Sequence, residues 1–375
     1  MKRARSLCVF FCIIAISGCH CEDSKTSSAP TSRAFGYVAN GITPGRVSEF
    51  AIDSATGVWT QISGSPFVEG ASEPHSIAAA PSNKFLYVVN RGDSDVSVLS
   101  IDSATGSIAA VGAPIRAPVN ALNLAIHPAG NFLYVTNVLQ PGTVSAFSID
   151  RTNGTLSPVP GSPFNAGAGI SDSLAITPSG KFLYVTNSPP SIISGYAISS
   201  GTGALTPIAG SPFAAGMGAK GIAVSPGGRF LYVSDSYGGT ILAYAIDEAS
   251  GALATVARSP FPAGSHPTAL AIDPDGKFLY AINEATLGTI SAFRIDQNSG
   301  ALAPVTGSPF LTGPAASAIV IDPSGRFLSA TLQLEDNGKL ASFRIDPATG
   351  ALKAIDGSPF DAGPYPTAVT IVQSK

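Results

Sequence analysis

An imidazole, an ammonium group and two carboxylates stand where the rest of this sequence repeats itself. His75, Asp172 and Lys220 occupy equivalent places, each at the entrance to a short apolar segment, and Glu284 follows Asn283 at the end of another. Such side chains can take a proton from water, hold a developing oxyanion and return a proton. Arg91, Asn120, Asp235, His266 and Glu335 fall in loops expected on the same face and are read as ligand contacts; each is equally suited to be a solvated loop side chain. Asn120, Asp172 and Glu284 offer oxygen atoms to a cation, but no contiguous Asp-x-Asp-x-Asp-Gly loop accompanies them, so no metal site is expected. No glycine-rich phosphate cradle is present, and no cofactor is expected. Arg91-Gly92-Asp93 is an Arg-Gly-Asp tripeptide, a form that adhesion receptors bind and that also arises by chance.

What must position these residues is a repeat. Phe-Leu-Tyr-Val or a close variant begins at Phe35, Phe85, Phe132, Phe182, Phe230, Phe278 and Phe327, at intervals of 50, 47, 50, 48, 48 and 49 residues. A period of that length, built from strand-like runs and turn signals, marks a radial β-array. In residues 171–213, Ser173–Ile176 reads as an innermost strand, and Pro178-Ser179-Gly180-Lys181 as a turn. Phe182–Asn187 follows, apolar on both faces, as expected of a sheet between two others. Ile192–Ile198 and Ala204–Ile208 complete four strands, closed by Gly210-Ser211-Pro212-Phe213, whose apolar residue is expected to wedge between blades.

Six copies of Ile-Asp-x-x-x-Gly, from Ile52–Gly57 to Ile345–Gly350, read as hairpin turns, with Ser199 replacing Asp in the seventh. Their aspartates are expected to bind backbone amides, not substrate. The first Phe-Gly-Tyr-Val lacks a preceding apolar strand, and Ala368–Val372 is left over at the other end. Pairing that last strand into the first blade gives an all-β, seven-bladed propeller of four-stranded blades over residues 34–375.

Residues 1–18 read as a signal peptide: Lys2, Arg3 and Arg5 precede an apolar run from Leu7 to Ile16, and Ile16-Ser17-Gly18-Cys19 resembles a bacterial lipobox. Cys19 is the expected lipidation site, and residues 19–33 a flexible tether. His20, not Asp, follows Cys19, so the inner-membrane retention signal of some bacteria is missing. All four cysteines (Cys8, Cys12, Cys19, Cys21) lie in this region, which excludes disulfides and a thiolate zinc site from the propeller body. Without the three leader cations, 21 basic residues fall to 18 against 24 acidic ones, and no basic stripe invites nucleic acid.

Phe-Leu-Tyr-Val-Thr-Asn, Pro274-Asp275-Gly276-Lys277-Phe278-Leu279-Tyr280 and Leu-Thr-Pro-Ile resemble the YVTN-repeat, lactonase-like seven-bladed propellers, a family that includes bacterial 6-phosphogluconolactonases and related cycloisomerases. The resemblance covers residues 34–373 and implies, for an enzyme, a metal-independent lactonase. Its Pro-Arg-His tripeptide before an innermost strand has no match here. The equivalent triplets run from Pro74-His75-Ser76 through Ser171-Asp172-Ser173 and Ala219-Lys220-Gly221 to Pro366-Thr367-Ala368. Asn283-Glu284 does resemble the family's Asn-Glu pair. With no arginine in that ring to meet a phosphate, the sequence argues against phosphogluconolactonase activity itself.

Two functions follow as expectations. The first is a monomeric envelope lipoprotein, in the outer membrane or on the cell surface, whose channel mouth binds a protein, a glycan or a small metabolite. The alternative is a lactone hydrolase with His75 or Glu284 as base and Lys220 as partner of the oxyanion. A structural surface-layer component is a third.

Overall fold

The computed structural model describes residues 34–373 except 69, 285, 335 and 336; the leader, Cys19 and Glu335 lie outside the described residues. Seven antiparallel sheets follow one another around a ring, and no helix occurs among the described residues. In the fourth blade the order from the axis outward is Ile170–Ile176, Phe182–Ser188, Ile192–Ile198 and Leu205–Pro207. A two-residue fifth strand, Phe213–Ala214, pairs with the near end of the third. Every blade adds this short strand, so the Ser-Pro-Phe segment belongs to the sheet as well as to the packing between sheets. Its serine hydroxyl accepts the third strand's backbone N–H, as from Gly195 to Ser211 and from Ala243 to Ser259 (2.9 Å each).

The Phe-x-Tyr pattern exists because blades clasp their successors. Tyr184 donates its hydroxyl to the carbonyl of Gly251 in the next blade (2.7 Å) while the Phe182 ring lies against that glycine. Gly251 has φ of +74°, and a Cβ there would collide with the ring, so both backbone and space demand glycine. The same clasp joins Tyr37 to Gly106, Tyr87 to Gly154, Tyr134 to Gly203, Tyr232 to Gly300 and Tyr280 to Gly350. The hairpin aspartates hold their turns: Asp247 accepts the Ser250 hydroxyl and the N–H groups of Ser250 and Ala249, which pull its pKa below the ordinary value.

The ring closes as the repeat count requires. Pro366–Gln373 pairs with Ala34–Asn40 as the innermost strand of the first blade. The last-to-first junction departs from the clasp. Ser329 stands where the other blades have tyrosine, and Gly36 where they have leucine or its equivalent. Trp59 replaces the Leu or Ile that opens the outer strand elsewhere; it is 5% exposed and fills the space a Cβ on Gly36 would need. It packs edge-on against Phe50, in a cluster that draws Leu340 and Ala362 from the seventh blade.

Candidate functional site

Each innermost strand carries a β-bulge at its first residues, where pairing with the second strand shifts register. In the third blade Leu122 and Asn123 together oppose Thr136. A bulge re-aims side chains, and here it turns the strand entrance into the axial channel. The hydroxyl opposite the bulge fixes it twice. Thr136 Oγ1 accepts the Asn123 N–H (3.1 Å) and donates to the carbonyl of Asp172 in the next blade (3.1 Å). Thr186 does the same for Ser173 and Lys220, and Ser234 for Gly221 and Thr268. The backbones of Asp172 and Lys220 are thereby pinned by the preceding blade.

The second blade has Val89 at this position and no hydroxyl to offer. His75 takes over: its Nδ1 lies 3.1 Å from the Leu122 carbonyl. A carbonyl only accepts, so Nδ1 carries the proton and Nε2 keeps a free lone pair. Burial lowers the His75 pKa from its ordinary value, and the Arg91 charge lowers it further, so the ring is neutral at neutral pH.

A second layer of mouth residues follows the second strands. The N–H of Glu284 donates to His266 O (3.0 Å), and that of Gln333 to Ala315 O (2.9 Å). The accepting residues have positive φ, +51° at His266 and +56° at Ala315, which turns their carbonyls toward the strand exits. The two layers enclose a cavity of about 400 Å³ at the mouth of the channel, to which His75, Asn123, Asp172, Lys220, Glu284 and Gln333 contribute. Burial raises the Asp172 pKa; Lys220 opposes the rise and Glu284 adds to it, which brings these three charges into one field. Asn123 Nδ2 donates to the Asp172 carbonyl (2.8 Å).

The candidates do not all converge. His75, Asp172, Lys220 and Glu284 line the cavity; Arg91 does not, and only its charge reaches His75. Asp235 is buried among backbone amides and accepts from Met217, Gly218 and Gly238 (2.8–3.1 Å), so its carboxylate organises a loop pair. Asn120 is exposed at φ +61° and donates to Val138 O (3.3 Å). The exposed His266 ring meets Ser265 Oγ (2.9 Å), and its part in the site is the carbonyl beneath Glu284. The Arg-Gly-Asp loop is tied down where Asp93 accepts the Ser72 N–H (2.7 Å). Gln333 was not among the candidates; its place after the seventh blade's second strand, equivalent to Glu284, is the signal that finds it.

A larger void of about 700 Å³ opens at the opposite face between the second and third blades. Its walls are turn residues and the strand residues Phe85, Tyr87 and Ile149, with Lys84 and Arg151, and no carboxylate or imidazole lines it. In later blades the matching grooves carry an arginine over the phenylalanine, as Arg294 over Phe278 (4.9 Å), with the guanidinium donating to the next turn. Among the described residues no group of three or more His, Cys, Asp or Glu is arranged to hold a metal ion.

Comparison with known proteins gives one consistent answer. A family model described as "Lactonase, 7-bladed beta-propeller" matches residues 31–171, 114–219 and 207–315. A 6-phosphogluconolactonase of Pectobacterium atrosepticum is 33% identical over 96 residues, 24% of this chain. The chain spans only 28% of that relative's length in the match. A candidate 6-phosphogluconolactonase of Bacteroides uniformis superposes with a TM-score of 0.78 at 21% identity, covering 91% of this chain and 99% of that one. A periplasmic gluconolactonase of Pseudomonas aeruginosa gives 0.73 at 21% identity, covering 91% and 100%. The seven blades agree with that description: this chain belongs to the seven-bladed β-propeller lactonase family.

Proposed function

We propose that the protein hydrolyses a lactone at the mouth of its channel. The observation that carries this is the convergence of a neutral, tautomer-fixed His75 with Lys220, Asp172 and Glu284 on one cavity, in a chain of the lactonase family. Water attacks the acyl carbon and His75 Nε2 accepts its proton. Lys220 faces the tetrahedral oxyanion. The C–O bond of the ring then breaks, and the departing alkoxide takes the proton back from the imidazolium. The backbone hydrogen bonds from Thr136 and Thr186 hold Asp172 and Lys220 in place before substrate arrives. With two carboxylates beside one ammonium group, the mouth favours a lactone without a phosphate.

The test is turnover of a lactone panel, glucono-1,5-lactone included, followed by substitution. Lys220→Ala should lower kcat/KM by about 10²–10³-fold and His75→Ala by about 10²–10⁴-fold. His75→Ala also strips the Leu122 carbonyl of its partner, so it is paired with Val89→Thr, which supplies the hydroxyl found in neighbouring blades. Activity lost in the single variant and recovered in the double one would make His75 structural. A folded protein that turns over no lactone refutes the reading.

We place this reaction outside the cytoplasm. The basic start, apolar run and Ile16-Ser17-Gly18-Cys19 of the leader support export and acylation at Cys19. Mass spectrometry of the membrane fraction, with Cys19→Ser as control, tests that.

A further inference from the structure

Among the described residues seven large hydrophobic side chains are exposed: Val68, Val119, Met217, Tyr237, Leu287, Leu311 and Tyr365. All seven lie at the mouth end. Val119, Met217 and Tyr365 precede innermost strands, Tyr237 and Leu287 follow second strands, and Val68 and Leu311 sit opposite the first residues of third strands, Arg46 and Thr289. The opposite face, built from Pro-Ser-Gly-Lys and Ile-Asp turns, carries none. Exposed apolar side chains scattered singly need no explanation, but confinement to the face that holds the candidate site does.

The distribution within that face is uneven. Met217, Tyr237, Leu287 and Leu311 belong to the fifth and sixth blades or their entry loop and are 66–70% exposed. The same two blades supply Lys220 and Glu284. The Tyr237 ring rests on Gly218, where an added Cβ would meet it at 2.7 Å, so Met217 and Tyr237 flank one strand entrance two residues from Lys220. Asp235 braces that loop pair through the Met217 and Gly218 amides. Met217 lies three residues before Lys220 and Leu287 three after Glu284, so with Tyr237 they form an apolar crescent outside the cavity's own lining, on the side of its ammonium group.

We propose that the substrate is amphiphilic: a lactone head that enters the cavity and an acyl chain that leaves it over Met217, Tyr237 and Leu287. The head rests on the lactone-hydrolase reading above; the chain rests on the crescent. A cavity of about 400 Å³ is the size of a site for a whole small ligand, with the crescent extending it for a flexible tail. A phosphosugar or a free sugar lactone uses none of these apolar side chains.

The experiment measures KM for N-acyl homoserine lactones from four to twelve carbons, below their micellar concentrations. In parallel it measures Kd for the matching N-acyl lactams, which keep the ring and chain but resist hydrolysis. KM and Kd should each fall by about two- to fourfold per added methylene until the crescent is covered. Met217→Ser/Tyr237→Ser should flatten that dependence, and Val68→Ser, in the first blade, should leave it intact. Turnover of short and unacylated lactones with no response to chain length overturns this inference and spares the lactone-hydrolase reading. Chain-dependent lactam binding without any lactone turnover refutes the lactone-hydrolase reading and keeps only the crescent as the seat of an acyl chain. Flat lactam binding, or a dependence that survives the double substitution, also overturns it.

Discussion

The junction between the seventh and first blades can be tested by trading its side chains back to those of the other six. Trp59→Leu places the usual outer-strand residue beside Gly36 and removes about 60 Å³ of buried side chain, worth about 1.5 kcal/mol as a cavity and about 1 kcal/mol more in lost transfer. Gly36→Leu alone drives a Cβ into the Trp59 ring, an overpacking cost of about 2–3 kcal/mol. Gly36 does not have positive φ, so the backbone itself accepts leucine. The two changes together refill the space from the other side. The double variant should lose no more than about 1–2 kcal/mol, a coupling of at least about 2 kcal/mol between neighbours in contact. Adding Ser329→Tyr offers the Gly57 turn the clasp it lacks and should recover part of the remainder. Guanidinium unfolding followed by far-ultraviolet circular dichroism reads the parent and all four variants on one scale. If the single costs simply add, the indole does not compensate for Gly36, and the account of ring closure fails.

Two further outcomes follow from the site and the clasp. Because burial and Arg91 both hold the His75 pKa below its ordinary value, the imidazole stays a free base to more acid pH than an exposed histidine. The acid limb of a kcat/KM profile should lie below about pH 6.5, and Arg91→Ala should move it upward. The same shift makes stability fall as pH drops below the unfolded histidine's pKa, since the unfolded chain then binds the extra proton. A limb unmoved by Arg91→Ala removes His75 as the titrating base. Tyr184→Phe deprives the buried Gly251 carbonyl of its donor and should cost about 1–3 kcal/mol in denaturant unfolding.

The architecture was legible because every repeat must satisfy the same contacts. Phe and Tyr recur together since one packs on the next blade's glycine and the other bonds its carbonyl; six copies of that geometry leave six copies of the pair, and Phe327 keeps the packing half in the seventh. The unpaired apolar strand at Ala368–Val372 likewise announced where the ring would shut. The site was harder to read because its positions are those where repeats are free to differ. His75, Asp172 and Lys220 were found by lining up strand entrances. The bulge that aims them, and the Thr or Ser hydroxyl that pins them, left only an unremarked alternation of Thr, Ser and Val before the terminal Asn. Asp235 looked like a functional departure from Asn for the same reason. A carboxylate and an amide differ in what they accept, and this loop pair has three N–H groups to give it.

The direction of the strands has a practical consequence. Ala34 lies level with Ile52 and Gln373, beside the Pro81–Lys84 turn, where Asn83 donates to the Gln373 carbonyl (2.9 Å). Ala34 and Gln373, where the described chain begins and ends, thus both lie at the floor of the toroid, remote from its polar basin. An immobilising linker, affinity tag or fused domain joined directly at Ala34 or Gln373 starts from the floor and leaves the polar basin uncovered.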